Sequence, residues 1–362
     1  MVHYAIRADD DPNSNAMKIL IDINHPAHVH FFRNPIALLK EREHEVMITS
    51  RNKEVAVPIL DELNIKHAVL SSQKSGGGLF SLGRELIQRD VALYKVARTF
   101  KPNAMAAIGG TFVAHVGWLT GIPSLVFYDT ENAKLQNAIT YPFASKVIVP
   151  RCYQSWTPRR SVRYAGYHEL SYLHPDRFRP DVGIAERNGL DPSCDNFFIR
   201  TVSWQANHDV GEAGWNEKLL VMVTDYLSRL GKVHISSEAV LPDSLRQYAY
   251  RGKVSEVHHL MAYCRMFIGE SATMASECAV LGVPAIYAAH TGRGYTDEQQ
   301  QRYALVANIR QLNWARLREQ IEAWLVLPKD NWQERRRNLL DETVDVAAFV
   351  VETIEQSATA KS

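Results

Sequence analysis

Cysteine is scarce in this chain. Four occur in 362 residues (Cys152, Cys194, Cys264 and Cys278), with no CxxC spacing. That pattern offers neither a disulfide framework nor a zinc site and fits reduced thiols in the cytosol. Excess charge is lacking too: Lys and Arg number 41 against 40 for Asp and Glu, so no bulk attraction to nucleic acid is expected. No apolar run reaches the roughly 18 residues of a bilayer-spanning helix. The N-terminus, MVHYAIRADDDPNSNA, is polar and acidic and lacks the apolar stretch of a secretion signal. Residues 1–16 read as a disordered leader, with Met17 opening the fold. What is present is a chain 46% hydrophobic and long enough for two α/β domains with their own cores.

Strands alternate with helices along almost the whole length, the pattern of parallel sheets covered by helices. The first half reads as a strand at 18–23, a loop at 24–27, a helix at 28–42 and a strand at 45–49. Further strands are expected at 104–108, 124–128, 146–149 and 161–164, with a Gly109-Gly110 turn before a helix. QKSGGGLFS (73–81) is too glycine-rich to be regular and reads as a mobile loop. HPDRFRPD (174–181) reads as a linker between a domain over 17–173 and a second over 182–330. The second half gives a strand at 196–200, a helix at 213–230, a strand at 232–235 and a helix at 254–263. Amphipathic helices then run to about residue 356, and 331–362 are expected to pack back on the first domain. Open sheets of this kind bind ligands beyond the carboxyl ends of their strands, so two such domains would share a central cleft.

The segment MFIGESATMASECAVLGVP (266–284) is the most informative. It reads as a strand, a turn at Gly269, a helix from about Ser271 to Leu281, a Gly-Val-Pro stop and a second strand. The turn leaves backbone N–H groups of Ser271, Ala272 and Thr273 free for a phosphate, or for capping alone. Glu277, about two turns in, can accept both hydroxyls of a ribose. Together these describe a nucleotide site.

At this point the residues resemble the GT-B glycosyltransferases, above all the N-acetylglucosaminyltransferase that completes lipid II. They also resemble the UDP-N-acetylglucosamine 2-epimerases and, most nearly, the domain of unknown function 354 family. Four blocks carry the likeness: HPAHVHFFRNPIALLKEREHEV (25–46), IGGTFVAHVGWLTGIPSLVFYDTENA (108–133), the nucleotide segment, and YTDEQQQRYALV (295–306). The resemblance implies a GT-B fold of two Rossmann-like, doubly wound domains: an N-terminal acceptor domain and a C-terminal nucleotide-sugar domain. It also implies that Glu277 holds the ribose and that Gln299 and Gln300 touch sugar hydroxyls. Two departures stand out. Pro26-Ala27 replaces consecutive glycines, and TVSWQANHD (201–209) lacks a glycine-rich turn, so diphosphate contacts would fall to side chains such as Ser203 or Arg200.

Three histidines (His25, His28, His30) crowd the first loop. His28 reads as a catalytic base or acceptor-orienting group, with helix capping and metal binding as alternatives. Asp22 can orient one of these imidazoles. Arg200 can offset charge on a leaving diphosphate or form a routine ion pair. His25, Gly109, Gly110, Thr111, Glu131 and Asn132 are the candidate acceptor contacts, with Thr111 as a helix cap. His44 reads as structural, and His258 and His259 as a helix edge under the nucleobase. The expectation is a metal- and cofactor-free glycosyltransferase moving an N-acetylhexosamine from a UDP-type donor to a glycan or lipid-linked acceptor. It would be cytoplasmic, peripheral to the inner membrane at most, and a monomer or homodimer. The alternatives are a UDP-sugar 2-epimerase and a catalytically silent nucleotide-sugar-binding module.

Overall fold

The computed structural model describes residues 16–52, 56–72, 79–131, 133–202 and 215–360. Nearly all of the expected leader, residues 73–78 of the glycine-rich loop, Asn132, and Ser203 with its neighbours to His208 and Asp209 lie outside them.

The first sheet contains β1 (Lys18–Ile23), β2 (Glu45–Asn52), β3 (Ala68–Ser72), β4 (Ala104–Ile108), β5 (Ser124–Phe127), β6 (Lys146–Pro150) and β7 (Ser161–Tyr164). Its seven strands run parallel in the order β3-β2-β1-β4-β5-β6-β7. Its helices are α1 (Pro26–Glu41), α2 (Ala56–Glu62), α3 (Leu79–Phe100), α4 (Thr111–Thr120), α5 (Lys134–Thr140) and the short α6 (Leu170–Leu173). After the connection 174–181 and α7 (Val182–Arg187), a second sheet begins. It holds β8 (Asp195–Thr201), β9 (Gly231–Ser237), β10 (Met266–Gly269), β11 (Ala285–Ala288) and β12 (Val306–Ile309), interleaved with α8 (Glu217–Ser228), α9 (Val257–Met261), α10 (Ala272–Leu281) and α11 (Gly294–Tyr303). These five strands are also parallel, in the order β12-β11-β10-β8-β9. Helices α12 (Trp314–Leu325), α13 (Lys329–Asp341) and α14 (Val346–Thr359) follow.

The central strands are apolar runs because both sheet faces are covered: Ile19, Leu20, Ile21 and Ile23 of β1, and Met266, Phe267 and Ile268 of β10, are fully buried. Strand order reverses between β1 and β4 in the first sheet and between β10 and β8 in the second. Those two reversals are where a doubly wound sheet opens a crevice. Helix α14 returns to the first domain and packs on α1, α6 and β4. There Glu355 meets Arg42 at 2.7 Å and His44 at 2.9 Å, so His44 is held by a carboxylate.

Some boundaries differ from expectation. Helix α1 starts at Pro26, not His28, because proline suits the first helical turn and His25 caps it, Nδ1 accepting from the Ala27 N–H. The expected helix 254–263 is a 3-10 turn (Val254–Glu256) followed by α9. Thr111 is not a cap: Gly110 holds that position without a side-chain bond, and Thr111 Oγ1 lies 2.8 Å from Thr140 Oγ1. Among the described residues, no helix is long and apolar enough to cross a membrane.

Candidate active site

The loops following β1, β4, β5 and β7 meet the N-terminus of α10 around a cavity of ≈ 380 Å³. His28, Gly109, Asp129, His168, Glu169 and Thr273 line it. His28 and Gly109 follow the two strands that flank the first switch point, Asp129 follows the next strand, His168 and Glu169 follow the edge strand β7, and Thr273 lies in the first turn of the helix after β10. Gly109 takes a left-handed φ of 60°, and a Cβ there would collide with Gln136 Nε2 at 2.6 Å.

Two imidazoles face this space in opposite states. His28 Nδ1 accepts the Asn24 N–H at 3.3 Å. Burial first, then the neighbouring His25 and His168, push its pKa down to about 3. A neutral ring whose Nδ1 is an acceptor carries its proton on Nε2, so His28 presents a donor to the cavity. His168 is the reverse. Its Nδ1 lies 3.2 Å from Asp129 Oδ2. Burial works to raise Asp129, but His168 and Thr130 hold the carboxyl down at about 2. In a neutral His168 ring the carboxylate fixes the proton on Nδ1, which leaves Nε2, buried without a hydrogen-bond partner, as the acceptor.

Glu169 stands next to this pair in a different condition. Burial, then the charge of Asp129, raises it to about 8, so it is a neutral acid at pH 7. Its Oε2 accepts the Ser276 hydroxyl at 2.9 Å, and Ser276 Oγ accepts from Gln299 Nε2 at 2.7 Å. Because the folded state binds the Glu169 proton more tightly, its contribution to stability is complete below pH 4.5 and is lost as pH rises toward 8. Urea melts of wild type and Glu169→Gln at pH 5, 6.5 and 8 should show a decline in the wild type that the variant flattens.

Other expected contacts are committed elsewhere. Glu277 is only 5% exposed. Its Oε1 accepts the Tyr172 hydroxyl at 2.7 Å and lies 2.9 Å from His258 Nε2, so it is closed to a ribose in this arrangement. His258 thus sits on the motif glutamate, while His259 Nδ1 accepts the Asp181 N–H outside the cavity. Gln299 is fully buried on Ser276, and Gln300 Oε1 accepts the Asn308 N–H beyond the cavity. Arg200 donates to Ser236 Oγ at 2.7 Å and pairs with Glu238 at 2.6 Å, the routine ion pair. Asp22 is buried in an ion pair with Arg89 at 3.1 Å and also accepts from Thr49 and Asn24. It reaches His28 only through the Asn24 backbone. Glu131 Oε1 accepts the Gly294 N–H of α11 at 3.3 Å, bridging the domains rather than facing the cavity. Gly269 is required by β8: a Cβ would meet Arg200 O at 2.2 Å. Ser271 caps α10 through the Met274 N–H, leaving Ala272 and Thr273 N–H without intrahelical acceptors. The three loop histidines do not converge on one ion, since His30 stacks against Tyr172 and His258 at 5.5 and 5.2 Å instead.

Sequence reasoning missed His168, Glu169 and Tyr172. The only signal was position: GYHELSYL directly follows the last strand of a parallel sheet.

Residues 17–174 match the family model described as Protein of unknown function (DUF354). An uncharacterised protein of Methanocaldococcus jannaschii is 24% identical over 286 residues, covering 75% of this chain and 81% of that one. Among solved structures, UDP-GlcNAc 2-epimerase from Neisseria meningitidis bound to UDP-GlcNAc superposes with a TM-score of 0.67 at 13% identity, over 94% of this chain and 100% of the other. Acinetobacter baumannii MurG gives a TM-score of 0.59 at 13% identity, over 94% and 99%. The fold is GT-B.

Proposed function

We propose that this GT-B-fold chain, whose N-terminal domain matches DUF354, binds a nucleotide-diphosphate sugar in the cavity and transfers the sugar to a glycan or lipid-linked hydroxyl. One observation carries the reading: the Asp129–His168 pair, whose Nε2 is buried without a hydrogen-bond partner, lines the same ≈ 380 Å³ cavity as Thr273 at the start of α10. The free N–H groups of that helix start and the helix dipole would hold the diphosphate and stabilise it as it leaves. His168 Nε2 would take the proton of the attacking hydroxyl, and the imidazolium formed would rest on Asp129. His28, a neutral donor, would hold the sugar. A ribose diol would reach Glu277 by replacing the Tyr172 hydroxyl. The reading requires no metal and no resident cofactor.

Glu169 supports a second reading, epimerisation at C2 of the sugar. A neutral carboxylic acid beside an imidazole is the acid–base pair that proton abstraction and return would use.

The relatives of this fold named above favour UDP as the base to try first. UDP at about 100 times its dissociation constant should add roughly 2.7 kcal/mol of stability, visible as a thermal shift. Failure of UDP, GDP, CDP, ADP and TDP alike to shift the melting point would refute nucleotide binding. Chromatography of UDP-N-acetylglucosamine incubated alone separates the two reactions. An isomeric UDP-sugar means epimerase, whereas UDP released only when an acceptor is added means transferase.

A further inference from the structure

The N-terminal domain carries an apolar face that the cavity does not use. Helices α3, α4 and α5 and the segment around Trp156 leave Ile87, Val91, Trp118, Leu119, Leu135 and Trp156 exposed. Trp118 and Trp156 are 66% and 74% exposed, a costly display of indole to water. Beneath these side chains lie three hollows of ≈ 720, ≈ 670 and ≈ 610 Å³ that share Pro142 and so form one continuous surface. Trp118 stacks edge-on against Phe143 at 5.5 Å, which holds its ring in place on that surface.

Basic side chains predominate around it. Lys134 and Arg160 line one hollow and Lys146 another. On α3, exposed Arg84, Lys95 and Arg98 fall at helical spacing on the stripe of Ile87 and Val91. The acidic side chains of that helix both have partners: Asp90, at the edge of the first hollow, lies 3.0 Å from His115 Nδ1, and Glu85 pairs with Arg51. Two other arginines of this domain are consumed elsewhere. Arg151 pairs with Glu298, and Arg163 donates to the Arg151 and Tyr153 carbonyls.

An apolar centre with exposed tryptophans and a basic rim fits the interface of an anionic bilayer. A second copy of the same face would bring like charges together. We propose that this face docks the protein on an anionic membrane surface, its apolar side chains entering the acyl boundary and its rim meeting lipid phosphates. Helix α5 joins the face to the cavity: Leu135 and Ala138 belong to the former, while Ala133 and Gln136 line the latter. A lipid-linked substrate held at the surface would therefore lie one helix from the cavity. The docking itself does not depend on the reaction proposed above.

The test is co-sedimentation of the full chain with phosphatidylcholine vesicles with and without phosphatidylglycerol. The wild type should pellet with the anionic vesicles at low salt and be released at high salt. Trp118→Ser/Leu119→Ser should weaken that binding by about tenfold or more while melting like the wild type. Val240→Ser/Val326→Ser, altering exposed residues of the second domain, should bind unchanged. A wild type that stays in solution at low salt overturns the proposal, as does equal binding by the tryptophan–leucine variant. Light scattering that finds a wild-type dimer dissolved by that variant, without vesicle binding, assigns the face to self-association instead.

Discussion

Glu277→Ala is expected to destabilise the protein by about 3–5 kcal/mol, before any ligand is considered. The carboxylate is buried at the seam where α10 meets α6 and α9, and it serves two partners at once. Truncation strands the Tyr172 hydroxyl and His258 Nε2 in a water-poor space, with the His30 ring packed against both side chains. Each orphaned hydrogen bond to a charged group accounts for about 1.5–3 kcal/mol. Tyr172→Phe removes one donor and leaves the carboxylate its other partner, so its cost should be about 1–2 kcal/mol. Chemical denaturation of the two variants measures both. Equal losses would mean that the carboxylate is satisfied by water, not by this pair. A ligand-binding assay on Glu277→Ala alone would confound a lost contact with a lost fold, which makes Tyr172→Phe the more informative variant for nucleotide affinity.

His168→Ala should lower turnover by about 10²–10⁴-fold while nucleotide affinity stays near that of the wild type. The loss follows from removing the imidazole that is held by the Asp129 carboxylate and whose Nε2 is buried without a hydrogen-bond partner. Asp129→Asn keeps the ring but inverts its preferred tautomer, because the amide can donate to Nδ1, and should approach the same loss. His28→Gln preserves a donor at a similar position and should cost much less. Steady-state rates with saturating donor test the ordering. If His28→Gln falls as far as His168→Ala, the proton acceptor has been assigned to the wrong ring.

The sequence made the scaffold legible because the scaffold rests on burial. β1 and β10 are apolar runs closed by glycine, proline or small polar residues, and their period and punctuation say strand and turn without outside help. Short elements lacked that signal. β3 (Ala68–Ser72) and β12 (Val306–Ile309) are too brief and mixed to stand out. The nucleotide segment was legible as a helix start, yet the fate of Glu277 was not, since its partners lie 105 residues upstream and 19 upstream. His28, which lines the cavity, stood out because it sits in a conspicuous cluster. His168 was invisible because a single histidine gains meaning only when a distant aspartate is folded against it. Arg200 illustrates the converse: the right strand end, but a side chain already claimed by β9.

Helix α14 sets a schedule for folding. Its buried face, with Val350, Val351 and Ile354 fully enclosed, completes the layer over α1, although the two helices stand some 300 residues apart in the chain. At ribosomal rates of about 5–20 residues per second, α1 would wait roughly 10–40 s for its cover after the first sheet has emerged. During that interval the first domain offers an unfinished apolar groove to chaperones or to neighbouring nascent chains. Its last folding step is a long-range closure, slow in the way that large sequence separations are slow.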